Sequence, residues 1–151
     1  MNFPGFKYKQ NLSVDIEALV HLIAAHQRPD GEIPWCAGQK TDPWDHVEAA
    51  MGLAIGGRFG AARKAFRWLA ANQLADGSWY AAYREGRPQD KTRDSNLSAY
   101  IAVGLYHYYR VTGDDDFMAA MWPTMARAID FAVGLQAKEG PIYWALDPAG
   151  R

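Results

Sequence analysis

QLADGSW, residues 73–79, follows the apolar helix end WLAAN. A glutamine amide at a helix end satisfies orphan carbonyls there and donates toward a neighbouring helix. Asp76-Gly77 makes a tight turn with the glycine at positive φ, and Trp79 is expected to pack its ring on the adjacent unit. Looser copies flank it: Gln27, Asp30, Gly31 and Trp35 after LIAAH, and Gln136, Glu139, Gly140 and Trp144 after FAVGL. A unit that recurs in this way buries its apolar face by stacking on its neighbours.

Outward from these loops, the periodicity predicts five helices. The first spans 13–25, with Asp15 and Glu17 in its first turn, where carboxylates complement the dipole. The second opens at Asp42-Pro43, a capping acid followed by proline at the first helical position, and ends at Gly56-Gly57. The third covers 58–73, its stripe of Phe59, Ala62, Phe66 and Leu69 opposing Arg63, Lys64 and Arg67. The fourth, 94–111, is apolar or aromatic nearly all round and reads as buried on most sides. Gly113 stops it, and the fifth starts at the acid run 114–116, with Phe117, Met121, Met125, Ala128, Ala132 and Leu135 on one face.

No alternating strand pattern of useful length lies between them. Short Gly-containing turns join helices two to three and four to five, while long loops follow helices one, three and five. That alternation predicts stacked hairpins: an all-α fold, an α/α toroid forming a partial ring of about five helices. Helices two and four belong to its inner ring and form the more buried pair.

Composition narrows the partners. With 16 basic against 17 acidic residues and a net charge of -1, no segment suits a nucleic acid or an anionic membrane. A single cysteine, Cys36, leaves no internal disulfide framework and fits a reducing compartment. No secretory leader is recognisable in 1–10, and no apolar run reaches the length of a membrane span, so a cytoplasmic protein is expected. Six Trp, eight Tyr and six Phe supply material for the junctions between helices.

QLADGSW resembles the Gln-Trp repeat of squalene and oxidosqualene cyclases and related prenyltransferases. The stretch from Gln27 to Trp144, notably DPWDHVEAAMGL at 42–53 and residues 114–136, is similar to the first half of bacterial proteins labelled prenyltransferase-like. The resemblance implies a toroid binding an isoprenoid or other bulky apolar ligand, with transferase or cyclase activity. It supplies no catalytic set. Asp114-Asp115-Asp116 matches the cyclases' Asp-x-Asp-Asp motif only superficially and suits a helix cap; Met118 breaks an Asp-Asp-x-x-Asp motif; the zinc ligands of protein prenyltransferases lie in a later part of those chains. Neither metal nor cofactor is expected. A closed six-hairpin ring takes roughly 300 residues, the upper range of a single domain. Residues 1–151 therefore read as one toroid domain, the N-terminal part of a longer ring or one completed by a homo-oligomer.

In such a ring the repeat loops lead into the N-termini of the inner helices, where backbone N–H groups converge. The residues gathered there are Trp35, Trp44, Asp45, His46 and Glu48 for helix two, Asp94, Asn96 and Tyr100 for helix four, and Tyr143 and Trp144 ahead of a third inner helix. Aromatic faces and acids suit either a carbocation or a sugar. Asp45, Glu48 and Asp94 are the candidate catalytic carboxylates; the others are candidate ligand contacts. Asp45 and Glu48 share a helix face, as paired carboxylates or as a solvated surface. Asp42 and Asp94 also fit helix caps, and His46 either shuttles a proton or sits in the core. Cys36 and His46 lack a third zinc ligand. The loop 84–93 reads as solvated or as a diphosphate binder. A carboxylate walled by tryptophan should have a raised pKa. Three functions follow: an isoprenoid-type toroid first; a carbohydrate-active toroid using Asp45 or Glu48 as acid or base and Trp44 as a sugar platform second; a non-catalytic scaffold third.

Overall fold

The computed structural model describes residues 14–150. Helix α1 is Ile16–His26, α2 Pro43–Ile55, α3 Phe59–Asn72, α4 Ser95–Ala99, α5 Ile101–Thr112 and α6 Asp115–Gly134. Asp15 caps α1, its Oδ1 accepting the Ala18 N–H at 2.9 Å, so it precedes the first turn; the expected start at residue 13 lies outside the described residues. Asp42 caps α2 ahead of Pro43 through the Asp45 N–H. Asp114 caps α6 through Phe117 N–H and pairs with Arg63. The acid run 114–116 thus opens a helix.

The anticipated fourth helix is two pieces. At Tyr100 the ladder tightens, Val103 N–H bonding the Tyr100 carbonyl three residues back at 3.0 Å, and α5 continues beyond. Gly104 then lets α5 lie against α2, because a Cβ there would collide with Val47 and Phe66.

Helices α2 and α4–α5 form the inner layer, and α1, α3 and α6 the outer. Burial departs from expectation in one respect. Outer helix α3 buries Ala62, Ala65, Phe66, Trp68 and Leu69, as much as inner α5 with Ile101, Gly104, Leu105 and Tyr108. Helix α3 is enclosed by α2, α5 and α6, whereas α5 lies on the open side of a partial ring and leaves Val103 and Tyr106 exposed.

Short strands also appear where none was expected. Residues 84–90 of the segment 84–93 belong to a hairpin of β1 (Ala82–Arg84) and β2 (Arg87–Asp90), turned by Glu85 at φ 52 and Gly86 at φ 72, the pair of positive φ values a type I′ turn requires. Thr41 bridges to Tyr83, and β3 (Arg93–Asp94) pairs with β4 (Ala145–Leu146). These pairings are too short and too polar to show the apolar–polar alternation of a half-buried strand.

The repeat is a backbone joint. Gln27 Nε2 donates to the Gly31 carbonyl (3.2 Å) and to Ala61 O of α3 (3.0 Å); Gln73 Nε2 donates to Gly77 O (2.9 Å) and to Thr124 O of α6 (2.8 Å). Gly31 and Gly77, at φ 108 and 92, press against the carbonyls of Lys64 and Arg127, three residues further along the same helices. Gln136 closes its own loop onto Gly140 O at 2.7 Å, and among the described residues nothing lies within 4 Å of a Cβ at Gly140. Gly77→Ala should therefore cost more than Gly140→Ala. The second pays only the positive-φ penalty of about 1–2 kcal/mol, and the first must also push the loop off α6. Equal midpoints in urea for the two variants would refute the joint.

Candidate functional site

Counting from each glutamine sorts the tryptophans. Six residues on stand Ile33, Trp79 and Ile142; eight on stand Trp35, Ala81 and Trp144. Ile33 and Trp79 are buried in the core, and their N–H groups bond to side chains of the inner helices, His46 Nδ1 at 3.1 Å and Ser98 Oγ at 3.4 Å. Trp35 and Trp144 are 57% and 74% exposed. Only Trp79 is a packing tryptophan; the other two belong to the surface at the inner-helix N-termini.

There a cleft of about 460 Å³ is lined by Trp44, Asp45, Asp90, Asp94 and Trp144 among others. Trp144 reaches it from a distant repeat because β3 pairs with β4 and Ser95 binds the Trp144 carbonyl through both N–H and Oγ, each at 2.9 Å. Along residues 90–94, from the end of β2 through β3, Asp90, Thr92 and Asp94 line this one while Lys91 and Arg93 line another, the period-two alternation of an extended chain. That alternation in DKTRD, acidic or neutral residues against basic ones, is the sequence signal for Asp90 and Thr92, and it is masked by the helical periodicity on either side. Asp42, read as a cap, is both cap and lining residue.

Asp45 is the electrostatically distinctive group. Partial burial, then the charge of Asp42 and a hydrogen bond to it, then the charge of Glu48, push its carboxyl up to about 6; the Trp35 indole N–H opposes them. Asp42 is itself fixed, its Oδ1 accepting the Asp45 N–H (2.9 Å) and its Oδ2 the Trp35 Nε1–H (2.6 Å). Glu48 Oε1 accepts from Trp44 Nε1 (2.9 Å) and Tyr100 OH (3.1 Å), and the Trp44 and Tyr100 rings stack 3.8 Å apart. Asp94 Oδ1 caps α4 through the Asn96 and Leu97 N–H groups, leaving Oδ2 without a protein partner among the described residues.

The structure thus brings Trp44, Asp45, Asp94 and Trp144 to one cleft, with Glu48 and Tyr100 attached through Trp44. Asn96 and Tyr143 are exposed and do not line it. His46, placed on the rim by its position beside Asp45, is a core residue instead. It is fully buried, accepts from Ile33 N–H and donates to Ala65 O at 3.0 Å, which also removes it from any zinc pairing with the exposed Cys36. Burial lowers its pKa to about 4. The unfolded chain, at 6.5, then binds more protons, so His46 should cost stability as pH falls from 6.5 towards 4, on the order of 3 kcal/mol across that window. The urea midpoint followed over that range should lose most of this slope in His46→Asn.

Fold and cleft together define an α/α toroid with an acidic, aromatic site at the inner-helix N-termini. No protein-family model matches the chain. Among curated proteins it is similar to the MMP endo-(1,4)-3-O-methyl-alpha-D-mannosidase of Mycolicibacterium hassiacum, 47% identical over 128 residues that make up 85% of this chain and 36% of that protein. The chain thus spans about a third of the length of this relative. Solved structures of the same fold include cellobiose 2-epimerase from Bacillus thermoamylovorans (TM-score 0.65, 17% identity, 88% of this chain and 39% of that one). An endoglucanase of glycosyl hydrolase family 8 from Klebsiella pneumoniae also matches (TM-score 0.61, 17% identity, 77% and 38%).

These findings correct the expectation of a prenyltransferase or terpenoid cyclase with an isoprenoid ligand and transferase chemistry: the similar proteins are a mannosidase, an epimerase and an endoglucanase. The physical reason is in the joint described above. Gln, Asp and Gly of the repeat hold hairpins together, so they report the toroid and carry no information on its ligand. Among the described residues no helix is long and apolar enough to cross a membrane.

Proposed function

We propose that the protein cleaves an internal glycosidic bond of a (1→4)-linked, 3-O-methylated α-mannoside, with Asp45 as general acid. The observation that carries this reading is the convergence of Asp45 and Asp94 with Trp44 and Trp144 on one cleft, alongside the mannosidase relative. Indole faces offer apolar surface to the C–H faces of a pyranose, and the carboxylates accept its hydroxyls. A carboxyl titrating near 6 still carries a proton to give at mildly acid pH. Asp42 contacts Asp45 and is too near to be the second carboxylate, which in glycosidases stands about 5–9.5 Å from the first; its part is to hold Asp45 protonated. Asp94 orients a sugar hydroxyl through Oδ2. The partner carboxylate then faces Asp45 across a ring closed by further hairpins, which would also cover Val103 and Tyr106. The test is mass analysis of a defined 3-O-methyl-α-(1→4)-mannooligosaccharide after incubation with the full-length protein. Two shorter oligosaccharides whose masses sum to substrate plus water are expected; an intact substrate sinks the proposal.

A further inference from the structure

Asp45 stands on the wall of a second cleft. This one, about 430 Å³, runs between α1 and α2 and is walled by Leu22, Ile23, Ile33, Pro34, Trp35 and Ala49. Its polar groups are few. Besides Asp45, the polar lining among the described residues is the Cys36 thiol and the His26 ring, whose Nδ1 is tied to the Leu22 carbonyl at 2.8 Å. Leu22 is 54% exposed and Trp35 57%, so apolar surface meets solvent directly beside an acidic site. The volume suits a single sugar ring.

Resting on the function proposed above, we infer that the cleft between α1 and α2 is the subsite that reads the substrate's O-methyl groups, with Leu22, Ile23 and Ala49 as the methyl-contacting wall. A free hydroxyl directed at those side chains loses water and finds no hydrogen-bond partner. A methyl ether at the same place has no proton to satisfy and buries its carbon. One methyl group in an apolar pocket discriminates by about 10–200-fold. The two clefts flank Asp45, so a chain bound through both presents a glycosidic bond to it.

The experiment compares kcat/KM of the full-length protein on 3-O-methylated and unmethylated α-(1→4)-mannooligosaccharides of equal length, for the unaltered sequence, Leu22→Gln and Ala49→Leu. Circular dichroism checks that each variant is folded. The unaltered protein should prefer the methylated substrate by about tenfold or more. Leu22→Gln, which adds a polar group, and Ala49→Leu, which fills the wall, should each bring the ratio close to one. A ratio unchanged in both folded variants overturns the inference, as it would if another hairpin of the ring covers this cleft. If the unaltered protein cleaves neither oligosaccharide, the proposed function falls and this inference with it.

Discussion

Trp79→Ala should lower stability by about 3–5 kcal/mol, the range for removing a buried large aromatic, while Trp144→Ala should change it by less than about 0.5 kcal/mol. The two tryptophans end copies of the same repeat, yet one is 1% and the other 74% exposed. Trp79 fills the junction between α3 and the loop, and its Nε1 donates to the Leu69 carbonyl at 2.8 Å, so truncation leaves a cavity and an unpaired buried acceptor. Trp35→Ala should fall between them, losing the bond to Asp42 but little packing. Urea midpoints of the three variants give the order directly. Similar losses for Trp79 and Trp144 would end the distinction between sixth and eighth positions.

Asp45→Asn should reduce kcat on the methylated mannoside by about 10²–10⁴-fold, the usual contribution of a general acid, and should remove the alkaline limb near pH 6 from the pH–rate profile. The same substitution should raise the melting temperature above pH 6. A carboxyl whose folded pKa lies above its ordinary 3.8 favours the folded state fully only below that value and loses this contribution as pH rises through about 6. Asparagine carries no charge to set against Asp42 and Glu48, so the gain belongs to neutral pH and vanishes by pH 4. Lost turnover with raised neutral-pH stability is the pattern of a strained functional group. Retained turnover, or a lower melting temperature at every pH, would reassign Asp45 to the α2 surface.

Much of the fold was legible because its determinants are local. Asp42-Pro43 fixed the start of α2, Gly56-Gly57 its end, and the alternating connection lengths the hairpins. Burial was less legible: apolar content on α5 says what a helix can cover, while the neighbours it meets depend on how much of the ring surrounds it. At the site, Asp45 and Trp44 were readable from the start of an inner helix, since helix N-termini share one end of the ring. His46 was misplaced because successive helical residues point about 100° apart. Asp45 faces the cleft and its next neighbour faces Ile33 and Ala65. The isoprenoid expectation came from the repeat, whose conspicuous residues are structural, while the sugar alternative rested on the aromatic and acidic residues of the rim.

The joint between hairpins also bears on descent. The Gln27 and Gln73 loops each address main-chain carbonyls of the next outer helix, Ala61 and Lys64 in one case and Thr124 and Arg127 in the other. The recipient's side chains differ between the two seats while the seat stays the same. Mutation can therefore rewrite an outer helix without a matching change in the loop that docks on it, and a hairpin can be duplicated without inventing a new mating surface. Two residues beyond the sixth position, which is buried at Ile33 and Trp79, Trp35 and Ala81 are free of that duty, as is Trp144 in the third copy. Selection can try new side chains there, beside the acids, generation after generation, and leave the ring intact.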